Sequence, residues 1–198
     1  QYGLPCDVAG IKAAVGPDVV VIEDVAQTWG STVNGVPAGS LGILAVTSFG
    51  PSKPVALGAG GALLGPPELV TGAVARGDGR DRLLARPPSP ARFPAPLLAA
   101  LPAALERADH LLRQRRAAVA RFAADELAAA FRLPPAPPDS TAGWTRTPLY
   151  PLAPAASDTR AQVERLEARY GPVQHMHALP PSALPMFRRS TVRVVPGG

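Results

Sequence analysis

The sequence predicts an α/β fold, because short apolar runs alternate with helical segments over the first 65 residues. Val19–Ile22 is an unbroken β-branched run, which is typical of a strand buried on both faces. Two further strands are expected over Ile43–Phe49 and Gly61–Leu64. Strands separated by helical turns favour a mostly parallel sheet with flanking helices. With 198 residues and 46% hydrophobic content, the chain is long enough to bury a core.

The first helix is expected over Asp7–Val15, with Asp7 as its N-cap and the Gly16-Pro17 pair as its stop. Leu97–Phe131 carries the strongest helical pattern in the chain. Pro102 either kinks this helix or marks its true start. Its apolar side chains fall near one face: Leu97, Leu101, Leu105, Ala108, Leu112, Val119 and Phe122.

The remaining segments are weaker in pattern. Pro66–Pro96 is rich in Pro, Gly and Arg and is expected to be irregular, and Pro134–Gly143 has the composition of a linker. Trp144–Leu152 is predicted as a strand. Ser157–Tyr170 is predicted as a helix ended by Gly171. These boundaries predict three parts: residues 1–96, a long connecting helix at 97–132, and a small α+β C-terminal domain at 133–198.

Composition excludes several classes of function. Only one cysteine is present, Cys6, which rules out an internal disulfide framework. The net charge of +5 comes from arginines spread between Arg76 and Arg193 rather than from a basic patch, so nucleic-acid binding is not predicted. No apolar run approaches the roughly 20 residues that a membrane span needs, and no signal peptide is visible. We therefore expect a cytoplasmic protein without membrane partners.

Two segments carry candidate chemistry. Asp24 lies just past the first predicted strand, and ligands of open α/β sheets bind at the carboxyl ends of strands. A carboxylate there can pair with a protonated ring nitrogen, although an acidic residue at this place is also commonly a helix cap. Gln27 follows three residues later, one turn away if a helix starts here.

The second segment is SFGPSK. Ser48 ends another predicted strand, and Lys53 lies in a turn-prone loop although the chain has only two lysines. A hydroxyl with nearby backbone N–H groups can hold a phosphate, and a lysine amine can form a Schiff base. The alternative is a surface turn with an exposed lysine, which composition alone favours. A carboxylate, a hydroxyl and an amine at successive strand ends suit pyridoxal 5'-phosphate (PLP).

Five motifs, in this order, resemble the DegT/DnrJ/StrS-type sugar aminotransferases: GLPCDVAGI, VIEDVAQTWG, GSLG, TSFGPSKP and GAGGALLG. The long helix with LERADHLLRQRRAAVARFAADEL is similar to theirs. The resemblance implies part of the large domain of a fold-type-I PLP enzyme. Its amino donor would be an amino acid such as glutamate or glutamine, and its acceptor a nucleotide-linked keto sugar.

The same resemblance implies roles for four residues. Lys53 matches the lysine that forms the Schiff base and is the catalytic residue. Asp24 matches the aspartate that faces the pyridine nitrogen, and Gln27 the residue that contacts the ring oxygen or ring face. Ser48 matches a serine that binds the phosphate. Relatives that carry histidine in place of the lysine are sugar dehydratases, so Lys53 argues against that branch.

Three departures from the family pattern stand out. The chain begins where the family's large domain is already half built, so the N-terminal part is expected to be lacking. Pro90 stands where an asparagine from a neighbouring subunit is expected, and Ala59 where a glutamate is usual. These departures favour an alternative: a truncated, non-catalytic protein that acts as a partner subunit or remnant. Either reading predicts a homodimer or association with a related chain.

No metal site is predicted. His175 and His177 are spaced like ligands on a strand, but no carboxylate or cysteine cluster lies nearby in the sequence.

Overall fold

The structure, a computed structural model, describes residues 1–77, 93–152 and 156–173. The chain divides into two compact units after Leu152. In chain order the elements are α1 Val8–Val15, β1 Ile22–Asp24, β2 Thr32–Val33, β3 Val36–Pro37, β4 Leu44–Ser48, β5 Gly61–Leu64, α2 Pro67–Gly77, α3 Ala95–Ala123, a 3-10 helix Glu126–Ala130, β6 Phe131–Arg132, β7 Ser140–Thr141, β8 Tyr150–Pro151 and α4 Ala156–Tyr170.

The sheet that positions the candidate site has the strand order β1-β4-β5. β1 and β4 pair in parallel, as the α/β pattern predicts. β5 joins β4 antiparallel, with Ser48 opposite Gly61. The connection from β4 to β5 contains no helix, and without a crossover helix a chain usually returns antiparallel.

The first strand differs from its prediction. It begins at Ile22 rather than Val19, and Val19, Val20 and Ile22 are 51%, 66% and 55% exposed. Among the described strands β1 pairs only with β4, so one edge and one face of this apolar segment lack a protein neighbour. The β-branched run therefore marks a strand correctly in type, but its predicted burial is wrong for the described part of the chain.

The helix α1 confirms its predicted cap and stop. The Asp7 carboxylate accepts a hydrogen bond from the Gly10 N–H at 2.9 Å, which satisfies one donor of the first turn. Gly16 ends the helix with φ +81°, a conformation that glycine adopts without steric cost.

The long helix α3 packs part of its apolar face on the segment that follows β4. Phe49 and Val55 form a buried cluster with Ala104 and Ala108. Pro102 lies inside the helix, seven residues after its start at Ala95. The helix ends at Ala123, earlier than predicted. The reason is local, because the Asp125 side chain accepts from the Leu127 N–H at 3.0 Å and caps a new 3-10 turn.

Two weaker predictions fail in part. Residues 67–77 of the segment expected to be irregular form α2, which has proline at its first position and Glu68 in its first turn, both favourable at a helix start. The strand expected over Trp144–Leu152 is limited to the two residues of β8.

The predicted C-terminal helix is confirmed as α4, which Gly171 follows with φ +89°. In the described ranges no helix has the length and hydropathy needed to cross a membrane.

Candidate active site

Asp24 and Ser48 lie at the same edge of the sheet, because they end two parallel strands, β1 and β4. Asp24 is in register with Val46, two residues before Ser48. Residues two apart on a strand point to the same face, so both side chains are on one face of the sheet. Standard strand spacings put their Cα atoms about 8 Å apart.

Asp24 is exposed and partly engaged by its own turn. One carboxylate oxygen accepts from the Ala26 N–H at 2.9 Å, which turns the chain away from the strand. Within the described residues the other oxygen, Oδ2, has no hydrogen bond. This oxygen is therefore available to accept from a cationic N–H placed over the strand edge.

Lys53 lies in the turn that follows β4. Its backbone N–H donates to the Gly50 carbonyl at 3.1 Å, and the neighbouring Val55 anchors the turn with 1% exposure. Gly50 separates Lys53 from Ser48: a Cβ at Gly50 would lie 3.5 Å from Ser48 Oγ and 3.8 Å from Lys53 Cγ. The hydroxyl and the lysine stem thus border the same point of the turn.

The Lys53 side chain is half-buried, and in the described ranges its amine makes no hydrogen bond or ion pair. Ser48 Oγ accepts from the Gly50 N–H at 3.3 Å, and its own proton remains a donor. A half-buried lysine whose stem lies near a hydroxyl differs from the fully exposed lysine of a simple surface turn.

Gln27 lies in the chain turn after Asp24 rather than on a helix. Its side-chain oxygen accepts from the Tyr2 N–H at 3.0 Å, and its backbone carbonyl accepts from the Thr145 hydroxyl. The amide oxygen of Gln27 is thereby committed to holding the N-terminal segment. Its amide nitrogen is the part of the side chain left for another partner.

The predicted residues do not share one cavity. Lys53 lines a cavity of about 660 Å³ between its own turn and α3. Asp24 lines a smaller one of about 150 Å³ on the side of α1. The structure brings the stem of Lys53 near Ser48 only around Gly50, and places Asp24 on the adjacent strand end.

Sequence reasoning missed Glu23, the residue that shapes this edge. Glu23 is only 7% exposed although it is charged. Its carboxylate accepts three backbone N–H bonds, at 2.8, 2.7 and 2.6 Å, from Gly39, Leu41 and Gly42. These bonds fasten the GSLG turn to β1. The available signal was strand alternation, which turns Glu23 inward whenever Asp24 faces out.

A second missed residue is Arg116 on α3. Its Nε donates to the Ala142 carbonyl at 3.0 Å, and its Nη2 donates to the Gly30 carbonyl. Gly30 has φ +75°, and a Cβ there would lie 2.5 Å from Leu112 Cδ1. Two side chains of α3 thus fix the turn that carries Gln27: the Arg116 guanidinium by its hydrogen bond to Gly30, and Leu112 by its close approach to the Gly30 backbone.

The part of the chain that the structure describes contains no group of three or more His, Cys, Asp and Glu side chains suited to a metal ion. Pro90, His175 and His177 lie outside the described residues.

Residues 1–75 match the model of the DegT/DnrJ/EryC1/StrS aminotransferase family. Over these residues the chain is similar to that family. The match covers the motifs that carry Asp24, Gln27, Ser48 and Lys53. Comparison with curated protein sequences found no significant match.

Solved structures extend the likeness beyond residue 75. A DegT DnrJ EryC1 StrS aminotransferase from Brucella abortus aligns with 100% of the chain and 53% of its own, at 23% identity and a TM-score of 0.72. The aminotransferase TlmJ from Streptoalloteichus hindustanus aligns with 90% of the chain and 52% of its own, at 25% identity and a TM-score of 0.63. An E. coli GDP-4-keto-6-deoxy-D-mannose-3-dehydratase with bound hydrated PLP aligns with 85% of the chain and 49% of its own, at 17% identity and a TM-score of 0.62.

The predicted fold class, part of a fold-type-I PLP aminotransferase, is confirmed by these structures. The chain spans about half the length of each of the three solved structures.

Proposed function

We propose that this chain supplies the cofactor-holding part of a PLP-dependent sugar aminotransferase. The amino group would pass from an amino acid such as glutamate or glutamine to a nucleotide-linked keto sugar. The observation that carries the proposal is the meeting of Asp24 and Ser48 on one face at a common strand edge, with Lys53 beside Ser48.

The side chains present fit PLP by their chemistry. Asp24 Oδ2 would accept from the protonated ring nitrogen and keep it charged. The Ser48 hydroxyl would donate to the phosphate, and the amide nitrogen of Gln27 to the ring oxygen. The bound cofactor supplies an electron sink for the carbon that loses its proton. Lys53 would hold the cofactor covalently and, once displaced by substrate, move that proton through Nζ.

A nucleotide-linked acceptor is supported by the E. coli neighbour, which acts on a GDP-linked keto sugar. Amination rather than dehydration is supported by Lys53 itself, because the resemblance associates histidine at this position with dehydratases.

The deciding experiment uses the only two lysines of the chain. The protein is mixed with PLP, reduced with borohydride and digested, and the modified peptide is located by mass. We expect a visible band that reduction fixes and a label on Lys53, with Lys53→Ala unlabelled. Lys12→Ala is the matched control, because Lys12 is exposed on α1 and donates to the Leu41 carbonyl at 3.1 Å. A label that persists in Lys53→Ala would refute the role of Lys53.

A second candidate is a non-catalytic subunit that associates with a related aminotransferase chain. It is favoured by Ala59, which is exposed between two positive-φ glycines and offers no carboxylate where the family pattern has glutamate. This candidate predicts no reduced label at Lys53 in the isolated chain. It also predicts a defined complex with a full-length relative, measurable by light scattering. A stoichiometric Lys53 label on the isolated chain would exclude it.

A further inference from the structure

We propose that the 660 Å³ cavity between the Pro51–Ala56 turn and α3 is an anion site, which binds a phosphate-bearing small molecule through Arg107, His110 and Arg115. The site is distinct from the strand edge of Asp24 and Ser48, neither of which lines this cavity. Lys53 borders both places. The cavity would therefore be a second phosphate-binding position, separate from the strand edge proposed for the cofactor. Its assignment does not depend on the assignment of that edge.

Helix geometry brings the three residues to one side of α3. Arg107, His110 and Arg115 stand at positions i, i+3 and i+8, and Leu111 and Gln114 add i+4 and i+7 of the same helix face. The opposite wall is the turn that carries Lys53. Side chains that donate hydrogen bonds thus converge from two elements on one space.

The charge of the lining is unbalanced. Lys53, Arg107 and Arg115 are cationic, and among the described lining residues Glu106 alone is acidic. Within the described ranges none of these three cations forms an ion pair with a carboxylate. Unneutralised cations facing one concavity attract an anion and strengthen its binding.

Arg115 gives the sharpest indication. Its Nη1 is buried and has no hydrogen-bond partner among the described residues. Burial lowers the pKa of its guanidinium from the ordinary value, which records the cost of desolvating an unpaired cation. A guanidinium at neutral pH stays charged, so this cost is relieved by an acceptor rather than by loss of a proton. Arg115 also lines the cavity, so a phosphate oxygen there would be such an acceptor once the guanidinium turns Nη1 toward it.

A phosphate group fits these donors better than a carboxylate does. Guanidinium forks bind phosphate oxygens in a bidentate manner, and two forks with an imidazole N–H and an ammonium provide more donors than one carboxylate can use. The volume also exceeds what a single phosphate fills, which favours a phosphate carried on a larger molecule or a diphosphate.

The test measures binding of inorganic pyrophosphate to the full chain by calorimetry at low salt. We expect Arg107→Gln and Arg115→Gln each to weaken binding about tenfold, the usual scale for one charge-assisted contact. Arg113→Gln is the matched control, because Arg113 is exposed on the same helix and does not line the cavity. Its affinity should equal that of the wild type, as should that of Ser48→Ala.

Three results would overturn the proposal: no binding of pyrophosphate, equal loss in Arg113→Gln, or loss in Ser48→Ala with none in Arg107→Gln. The last result would place the anion at the cofactor edge. Arg107 is exposed, so its substitution should leave folding intact even if Arg115→Gln does not fold. Because pyrophosphate has no aldehyde, this binding is independent of Lys53 labelling by PLP, and either proposal can fail alone.

Discussion

Replacing Glu23 tests whether a buried carboxylate holds the candidate site together. Glu23→Ala removes the acceptor of three backbone N–H bonds and leaves the GSLG turn without its tie to β1. A hydrogen bond to a charged group contributes about 1.5–3 kcal/mol to stability. The three share one side chain and the turn can partly rehydrate, so we expect a loss of about 4 kcal/mol rather than the full sum.

Glu23→Gln should fall between the wild type and the alanine variant. One oxygen of Glu23 accepts from Leu41 and Gly42, and the other accepts from Gly39. A glutamine oxygen can serve the pair, but the amide NH₂ then faces the Gly39 N–H, donor against donor. We expect a loss of about 2 kcal/mol.

Urea unfolding measures both changes. With a denaturant slope of about 2 kcal/mol per molar, the midpoint should fall by about 2 M for Glu23→Ala and by about 1 M for Glu23→Gln. Glu106→Ala is the control, because Glu106 is exposed and makes no hydrogen bond within the described residues. Its midpoint should stay within the equivalent of about 0.5 kcal/mol of the wild type. A Glu23→Ala midpoint equal to that of the control would refute the reasoning.

Two further predictions concern the segments around the site. Gly30→Ala should cost about 3 kcal/mol, because φ is +75° and the new Cβ would meet Leu112, whereas Gly35→Ala, with the same φ and open space, should cost only about 1 kcal/mol. Equal urea midpoints for the two variants would contradict this. Ser31→Ala should cost about 2 kcal/mol, because its buried hydroxyl donates to the Gly3 carbonyl and accepts from the Gly143 N–H. Ser40→Ala, at an exposed position, is the control in the same urea unfolding experiment. Equal midpoints for the two serine variants would contradict the role assigned to the Ser31 hydroxyl.

Local sequence patterns predicted the type and ends of helices and strands better than they predicted what packs against them. The Asp7 cap, the Gly16 stop and the α4 helix depend on neighbours within a few residues, and the structure confirms all three. The burial of Val19–Ile22 depends on what covers β1, which no local pattern contains. The direction of β5 likewise depends on the connection between strands rather than on the strand itself.

The candidate site shows the same division. The motif order located the ends of β1 and β4 that carry Asp24 and Ser48. The sequence did not indicate that Gln27 would be tied to Tyr2, or that Arg115 would be buried without a partner, because both facts arise from segments far apart in the chain. The sequence motifs assigned a role to Asp24 and none to Glu23. Both are acidic residues at the same strand end, and only the outward-facing one matched a cofactor role.

The contacts of Ser31 have a consequence for how the first unit folds. Its hydroxyl joins Gly3 to Gly143, which lies 112 positions further along the chain than Ser31. Closing a loop of that length costs conformational entropy, and the stabilising contact forms only when both ends meet. During synthesis from the ribosome, the bond between Ser31 and Gly143 can therefore form only after residue 143 has emerged. Until then the Ser31 hydroxyl has only its bond to Gly3, which lies 28 positions earlier in the chain.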